Sequence, residues 1–248
     1  MSSVLRRILV RSAESLVASG FRLSSAQLDS IDGFLARSCL KRVLDQFAVN
    51  LVLDVGANDG GFAGMLRAIG YRGNIVSFEP DQRVFATLCD RFRNDAHWKG
   101  MNVALGSKNA VQSFNVAKGS HLSSFLTPVG PIVVSTDQVE VKRLDSIFDD
   151  LVSSVQKPRT LLKIDTQGYD LEVLEGAAGC IEEILILQSE ISVKPIYYNM
   201  PHYTKALEVY ESLGFQLMDL FAACHRNQAH GNIVEYDCLM ARLDRVGV

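Results

Sequence analysis

The sequence has no Cys-x-x-Cys pair, no basic stripe and no apolar stretch longer than a strand. Each absence removes a class of protein. The five cysteines, Cys39, Cys89, Cys180, Cys224 and Cys238, are odd in number and widely spaced. That argues against a disulfide framework or a zinc knuckle and fits a reducing, cytoplasmic compartment. A bilayer-crossing helix takes about 20 consecutive apolar residues, so no transmembrane segment is expected. The formal net charge is −3 with acids and bases mixed along the chain, so nothing resembles a phosphate-neutralising surface, and nucleic acid is not an expected partner. There is no internal repeat and no low-complexity segment. At 48% hydrophobic and 21% charged residues the composition is that of an ordinary globular protein, and 248 residues fit one large α/β domain with a terminal appendage.

The appendage is helical. Leu5, Ile8, Leu9, Ala13, Leu16 and Val17 repeat at helical spacing, while Arg6, Arg7, Arg11 and Glu14 occupy other faces. Such a helix over residues 1–20 is expected to cover an edge or face of the domain; peripheral contact with an acidic membrane, or an Arg-rich targeting segment, is the alternative. Ser24-Ser25-Ala26-Gln27 offers a capping box, and Leu28, Ile31, Phe34, Leu35, Leu40, Val43 and Leu44 then follow at three-four spacing, so one or two further helices fill 24–48. Residues 1–48 are therefore read as a helical segment and 49–248 as the domain.

From residue 51 short continuous apolar runs alternate with helical stretches, the pattern of parallel strands buried on both faces and joined by crossover helices. Strands are expected at 51–55, 74–79, 99–105, 160–165, 184–190, 215–221 and 233–242, with helices over 61–69, 81–93, 144–155, 169–178 and 201–213. The polar loop 222–232 is too short for a crossover helix, so the last two strands should form an antiparallel hairpin. Residues 106–143 are an insertion in which Gln112 to Val116 and Val139 to Lys142 alternate like half-exposed strands and should pair. Its tip, 119–136, is rich in Ser, Thr, Gly and Pro and long enough to act as a lid.

The first strand runs into Asp54-Val55-Gly56-Ala57-Asn58-Asp59-Gly60 and then a helix. This places a tight turn at the carboxyl end of a central strand, where open α/β sheets bind ligands. Gly56 would admit a ligand close to the backbone, and Gly60 would ease packing of the next helix. Asn58 stands where a dinucleotide fingerprint needs its second glycine, and no Gly-Lys-Ser/Thr phosphate loop exists. An acid before the first glycine suits a cationic nucleotide such as S-adenosylmethionine, with its sulfonium and ammonium. Glu79, at the end of the second strand, stands where a carboxylate can accept from ribose hydroxyls.

Leu53 to Gly60, Phe78-Glu79-Pro80, Asn102 to Gly106, Val141 to Ser146 and Leu162 to Asp170, in that order, resemble the successive motifs of the FkbM family of methyltransferases. The resemblance covers roughly residues 50–243. It implies an α/β class I methyltransferase (Rossmann-like) fold, a seven-stranded, mostly parallel sheet with the last strand antiparallel. It implies S-adenosylmethionine as cofactor, S-adenosylhomocysteine as product, and a small-molecule or glycan acceptor. By the same resemblance Asp54, Gly56, Asn58 and Gly60 line the methionine part, Glu79 the ribose, and Asn102, Val103 and Ala104 the adenine. Ala57 and Pro80, within the same motifs, and Asp165 complete the expected cofactor contacts. Gln167 departs from the family, which more often has Glu there.

Methyl transfer to an alcohol needs alignment and removal of a proton. Lys163 and Asp165 end the fourth strand and Glu190 ends the fifth. The expectation is that Asp165 or Glu190 orients or deprotonates the acceptor hydroxyl while Lys163 balances charge; a purely structural ion pair is the alternative. His121, in the insertion tip, is a further candidate base. Tyr197, Tyr198, His202 and Tyr203 could present an aromatic surface to a sugar, or simply pack a strand-to-helix connection. Cys224, His225 and His230 lack a fourth ligand at usual spacing, and Asp165 with Glu190 would need a third oxygen ligand, so no metal is expected. The sequence thus points to O-methylation of a hydroxyl on a sugar, glycolipid or other secondary metabolite. The alternatives are N- or carboxyl-methylation of a small molecule, or a non-catalytic cofactor-binding scaffold.

Overall fold

The computed structural model describes residues 14, 15, 18–20, 22, 24–130, 132–222 and 233–245. The reading of an amphipathic helix over 1–20, with its membrane alternative, falls for the most part outside them. The capping box forms: Ser24 Oγ accepts from the Gln27 amide at 3.3 Å and Gln27 Oε1 accepts from the Ser24 amide at 2.9 Å. It starts one continuous helix, α1 (Ser25–Gln46). Leu28, Ile31, Phe34 and Leu35 in its first half are exposed, while Leu40, Val43 and Leu44, with Phe47 just beyond, are buried.

Strands β1 (Leu51–Val55), β2 (Asn74–Phe78), β3 (Trp98–Met101), β7 (Thr160–Ile164), β8 (Ile184–Ser192), β9 (Gln216–Ala222) and β10 (Glu235–Ala241) make one seven-stranded sheet. Its order is β3-β2-β1-β7-β8-β10-β9. The five residues of β1 and of β7 are all buried, as continuous apolar runs in a sheet covered on both faces must be. Helices α2 (Gly61–Ala68) and α3 (Gln82–Phe92) join α1 on one face, packing on Val52, Ile75, Leu161, Ile186 and Leu239. Helices α4 (Phe148–Val152), α5 (Asp170–Gly176) and α6 (Tyr203–Ser212) cover the other, on Leu53, Val76, Leu162, Leu187 and Met240.

The class I methyltransferase sheet is present, including the expected terminal hairpin, but β10 does not sit at the edge. It inserts antiparallel between β8 and β9, facing Glu190 with Asp237. Two elements differ from the sequence reading. The run 99–105 divides into β3 and a separate β4 (Ala104–Leu105), because the Asn102 side chain turns back to donate to the Glu79 and Pro80 carbonyls at 2.8 and 3.1 Å. The helix expected over 144–155 shrinks to α4, because Asn109 Oδ1 accepts from the Arg143 amide and from Ser146 Oγ and holds 143–146 in a turn.

The insertion pairs as expected. β5 (Ala110–Ala117) and β6 (Val133–Lys142) are antiparallel, and β4 joins β6 to complete a small sheet. The chain between them crosses the carboxyl ends of the main strands as a strap. Ser124 Oγ donates to the Gln167 carbonyl at 2.9 Å, the Tyr197 hydroxyl donates to the Leu122 carbonyl at 2.7 Å, and the Val129 amide donates to the Ile196 carbonyl at 2.9 Å. No described helix is long and apolar enough to cross a membrane.

The buried half of the first helix is core by this packing. Phe47→Ala should cost about 3–5 kcal/mol in urea unfolding, whereas Phe34→Ala, at a side chain 62% exposed, should stay within about 0.5 kcal/mol. Equal losses would contradict the packing.

Candidate active site

The loop after β1 is built from left-handed residues: Gly56 at φ +72°, Asn58 at +48° and Gly60 at +83°. Gly56 is required by a neighbouring strand end. A Cβ there would stand 1.9 Å from the Asp165 carbonyl oxygen, and the Asp165 amide donates to the Val55 carbonyl at 3.1 Å. Gly60 has the packing role expected, since its Cβ would stand 2.4 Å from the Phe92 ring on α3.

Asp54 lies wholly buried beneath this loop rather than on a cavity wall. It accepts from Ser77 Oγ at 3.1 Å and pairs with Lys163 Nζ at 3.3 Å. The buried Lys163 ammonium also meets Asp165 Oδ2 at 3.4 Å and donates to the Gly56 carbonyl at 3.2 Å. Burial alone would favour loss of its proton; Asp165 and Asp54 outweigh that and hold it charged. Glu79 accepts from the Asn58 amide at 2.9 Å and the Asp81 amide at 2.8 Å. Burial pushes its carboxyl up to about 7 against those two bonds.

Two cavities flank the loop and meet at Gly56, Asn58 and Asp165. The smaller, about 70 Å³, lies between Phe78, Glu79, Pro80 and Leu105 below and Phe125 with His121 of the strap above. Ala104 lines it too, while Asn102 and Val103 are not on its wall. Ser120 Oγ donates to Asn58 Oδ1 at 2.8 Å, tying the strap to the loop. The larger cavity, about 410 Å³, is lined by residues 56–59 and 61, by Phe62 and Met65 of α2, by Lys163, Gln188, Glu190 and Asp237 of the sheet, and by Gly33 and Arg37 of α1.

Asp165 and Glu190 come together as expected, with Gln167 between them. Its amide nitrogen donates to Asp165 Oδ1 at 3.2 Å and to Glu190 Oε2 at 2.9 Å. Burial, then the charges of Asp165, Glu235 and Asp237, push the Glu190 carboxyl well above the usual range. Burial and Asp165 likewise raise Asp237 to about 6. His121 lines the small cavity and is not brought to Glu190. The four aromatic residues after β8 do not share one surface: Tyr197 is buried and pins the strap, while Tyr198 is exposed.

Three contributors have no local signal in the sequence. Asp237 and Glu235 reach the acidic end only because β10 inserts beside β8, and Arg37 reaches the larger cavity only because α1 lies over it. Among the described residues no group of three His, Cys, Asp or Glu side chains is arranged to hold a metal ion; Cys224, His225 and His230 lie outside them.

The sequence model of a family described as the methyltransferase FkbM domain matches residues 54–217. No curated protein sequence matches the chain. Several solved structures are similar. Aeropyrum pernix fibrillarin, in complex with natively bound S-adenosyl-L-methionine, aligns at 14% identity and TM-score 0.44, over 77% of this chain and 66% of its own length. An rRNA methylase from Streptococcus thermophilus aligns at 12% identity and TM-score 0.45, over 84% and 95%. A TehB-like SAM-dependent methyltransferase from Corynebacterium glutamicum aligns at 12% identity and TM-score 0.40, over 97% and 99%. At such scores these likenesses say nothing about what the chain acts on.

The raised carboxyls fix a pH dependence of stability. A carboxyl that binds its proton more tightly folded than unfolded contributes stability below its unfolded value, and that contribution is lost as pH rises through its folded value. With Asp237 near 6 and Glu79 near 7, stability should fall between about pH 4 and pH 7. In a melting series, Asp237→Asn should raise the Tm at pH 8 by about 2–4 °C for each kcal/mol relieved and leave it nearly unchanged at pH 4. A variant curve parallel to the wild-type curve at every pH would contradict this.

Proposed function

The chain belongs to the FkbM methyltransferase family, and we propose that it transfers the methyl group of S-adenosylmethionine to a hydroxyl of a sugar, glycolipid or other secondary metabolite. The residues around the loop suit that cofactor. Phe78, Leu105, Phe114 and Phe125 offer apolar surface around the smaller cavity for a flat base, with Glu79 at its edge for ribose hydroxyls. Asp165, Glu190 and Asp237 offer negative charge for a sulfonium and an ammonium. Ordinary ligand pockets hold about 300–1,000 Å³, so at about 70 Å³ the smaller cavity must widen by movement of the strap when adenosine enters.

The cofactor supplies a methyl group already activated on a sulfonium, which leaves the protein to align the acceptor, exclude water and take its proton. Glu190 carries this proposal. A carboxylate with raised proton affinity is the better acceptor for a hydroxyl proton, and Glu190 stands in the larger cavity with Asp165, where the two cavities meet. Gln167 orients both carboxylates, and Lys163 neutralises Asp165. Because Glu190 works only when ionised, turnover should rise with pH as it loses its proton. The acceptor enters the larger cavity, with Phe62, Met65 and Phe221 as apolar walls.

One observation favours a second reading. Carboxylates outnumber cations at this end of the cavity, which suits an amine acceptor and hence N-methylation. Neither reading involves nucleic acid, for which the chain offers no basic stripe.

Radiolabel from S-adenosylmethionine should enter extracted glycans or lipids as a base-stable O-methyl group. Label in an amine pool instead would replace the leading reading by the second, and cofactor binding without label in any pool would make the protein a scaffold. Glu190→Gln should lower turnover about 10²- to 10⁴-fold, the usual contribution of general base catalysis, with S-adenosylhomocysteine binding unchanged. Full turnover in both Glu190→Gln and Asp165→Asn would end the role given to these carboxylates.

A further inference from the structure

S-adenosylmethionine, if the proposed cofactor is the right one, ends in an amino acid with an ammonium and a carboxylate on one carbon. In the larger cavity the two charges meet unequal surroundings. The wall formed by the sheet carries the carboxyl groups of Asp165, Glu190 and Asp237, whose oxygens can accept from the ammonium and which offer the carboxylate no cation. Asp59, on the loop, adds a further negative charge, 3.6 Å from Arg91 on the far side. A carboxylate in such a cavity needs a cation of its own.

Among the described residues lining the cavity only Lys163 and Arg37 are cations. Lys163 is already committed, with Asp54, Asp165 and the Gly56 carbonyl at 3.2–3.4 Å around a buried ammonium. Among the described residues Arg37 has no hydrogen-bond or ion-pair partner. Its guanidinium folds back along its own helix over Gly33, where a Cβ would stand 3.1 Å from Arg37 Nη1. A glycine inside a helix costs about 1 kcal/mol relative to alanine, and this one leaves room for the guanidinium head on the cavity side. Both residues line the cavity together with the loop that follows β1.

We infer that Arg37 binds the carboxylate of the cofactor's methionine part, and that α1 is therefore a wall of the cofactor site rather than a cover for the sheet. The planar fork of an arginine matches a carboxylate with two parallel hydrogen bonds, and such charge-assisted pairs are the strong ones. The same arrangement sets the direction of the tail: carboxylate toward α1, ammonium toward the sheet.

The test is equilibrium binding by calorimetry of three ligands to the full chain and to Arg37→Ala and Arg37→Lys. The ligands are S-adenosylhomocysteine, its decarboxylated analogue, which keeps the amine, and 5′-methylthioadenosine, which lacks the tail. Arg37→Ala should weaken S-adenosylhomocysteine about 10- to 100-fold, the range for hydrogen bonds to a charged group. It should leave the other two ligands within about twofold of wild type, and Arg37→Lys should restore part of the loss. An exposed side chain without a partner is not needed for folding, so the melting temperature of both variants should match wild type. Equal losses for all three ligands, or no loss for S-adenosylhomocysteine, would overturn the inference while leaving the cofactor reading intact. A wild-type protein that binds none of the three overturns both.

Discussion

The structure of the site depends on one buried ion pair. Lys163 faces Asp54 across the β1–β7 pairing, and its ammonium reaches Asp54, Asp165 and the Gly56 carbonyl at once. Each contact joins a different part: the strand beneath the loop, the end of the next strand, and the loop itself. Removing one partner of such a buried pair leaves an uncompensated charge and costs about 3–5 kcal/mol. It would also release the close approach of Gly56 to the Asp165 carbonyl on which the loop's shape rests. Lys163 is thus a structural cation. Burial, and then the charge of Asp165 beside them, makes the other carboxyls in the cavity, Glu190 and Asp237, hold their protons more tightly, and Lys163 offsets this only in part at Asp237.

Gln167 keeps that acidic end workable. With φ +54° its backbone turns sharply after β7, which lets one amide nitrogen donate to both Asp165 and Glu190. A glutamate here would place a third carboxylate against two others, where an amide offers donors and no charge. The Tyr197 hydroxyl approaches Gln167 Oε1 at 3.3 Å and donates more closely to the Leu122 carbonyl. The residue that orients the two candidate catalytic carboxylates is therefore also in contact with the anchor of the strap. Movement of the strap and orientation of Glu190 share a side chain.

Much of this was legible in the sequence, and what was not has a common cause. The capping box at Ser24 and Gln27, the continuous apolar run of β1 and the packing role of Gly60 are local properties, and all appear where the pattern placed them. Asp54 was legible as an acid at a strand end but not as the buried partner of Lys163, since register between strands 100 residues apart leaves no local trace. The insertion of β10 between β8 and β9 is similarly silent: an antiparallel hairpin reads the same at the edge or one strand in, yet only the inner position brings Asp237 opposite Glu190. Asn102 misled for another reason. Its side chain satisfies the carbonyls of Glu79 and Pro80, so the apolar run that looked like one strand breaks exactly where a polar group finds backbone acceptors.

The three cavity and acidic-end contributors without a local signal, Arg37, Glu235 and Asp237, lie outside the family match. The family match spans residues 54–217, which contains the loop, Glu79, the Lys163 pair, Gln167 and Glu190. Arg37 lies before that span and Glu235 and Asp237 lie after it, on α1 and β10. The part of the fold within the match therefore supplies the strand ends, the loop and the Asp165–Glu190 pair oriented by Gln167. The larger cavity is lined in part by elements outside that span, α1 with Arg37 and β10 with Asp237. Charge in the larger cavity can thus change through α1 and β10 without disturbing the register of β1 and β7.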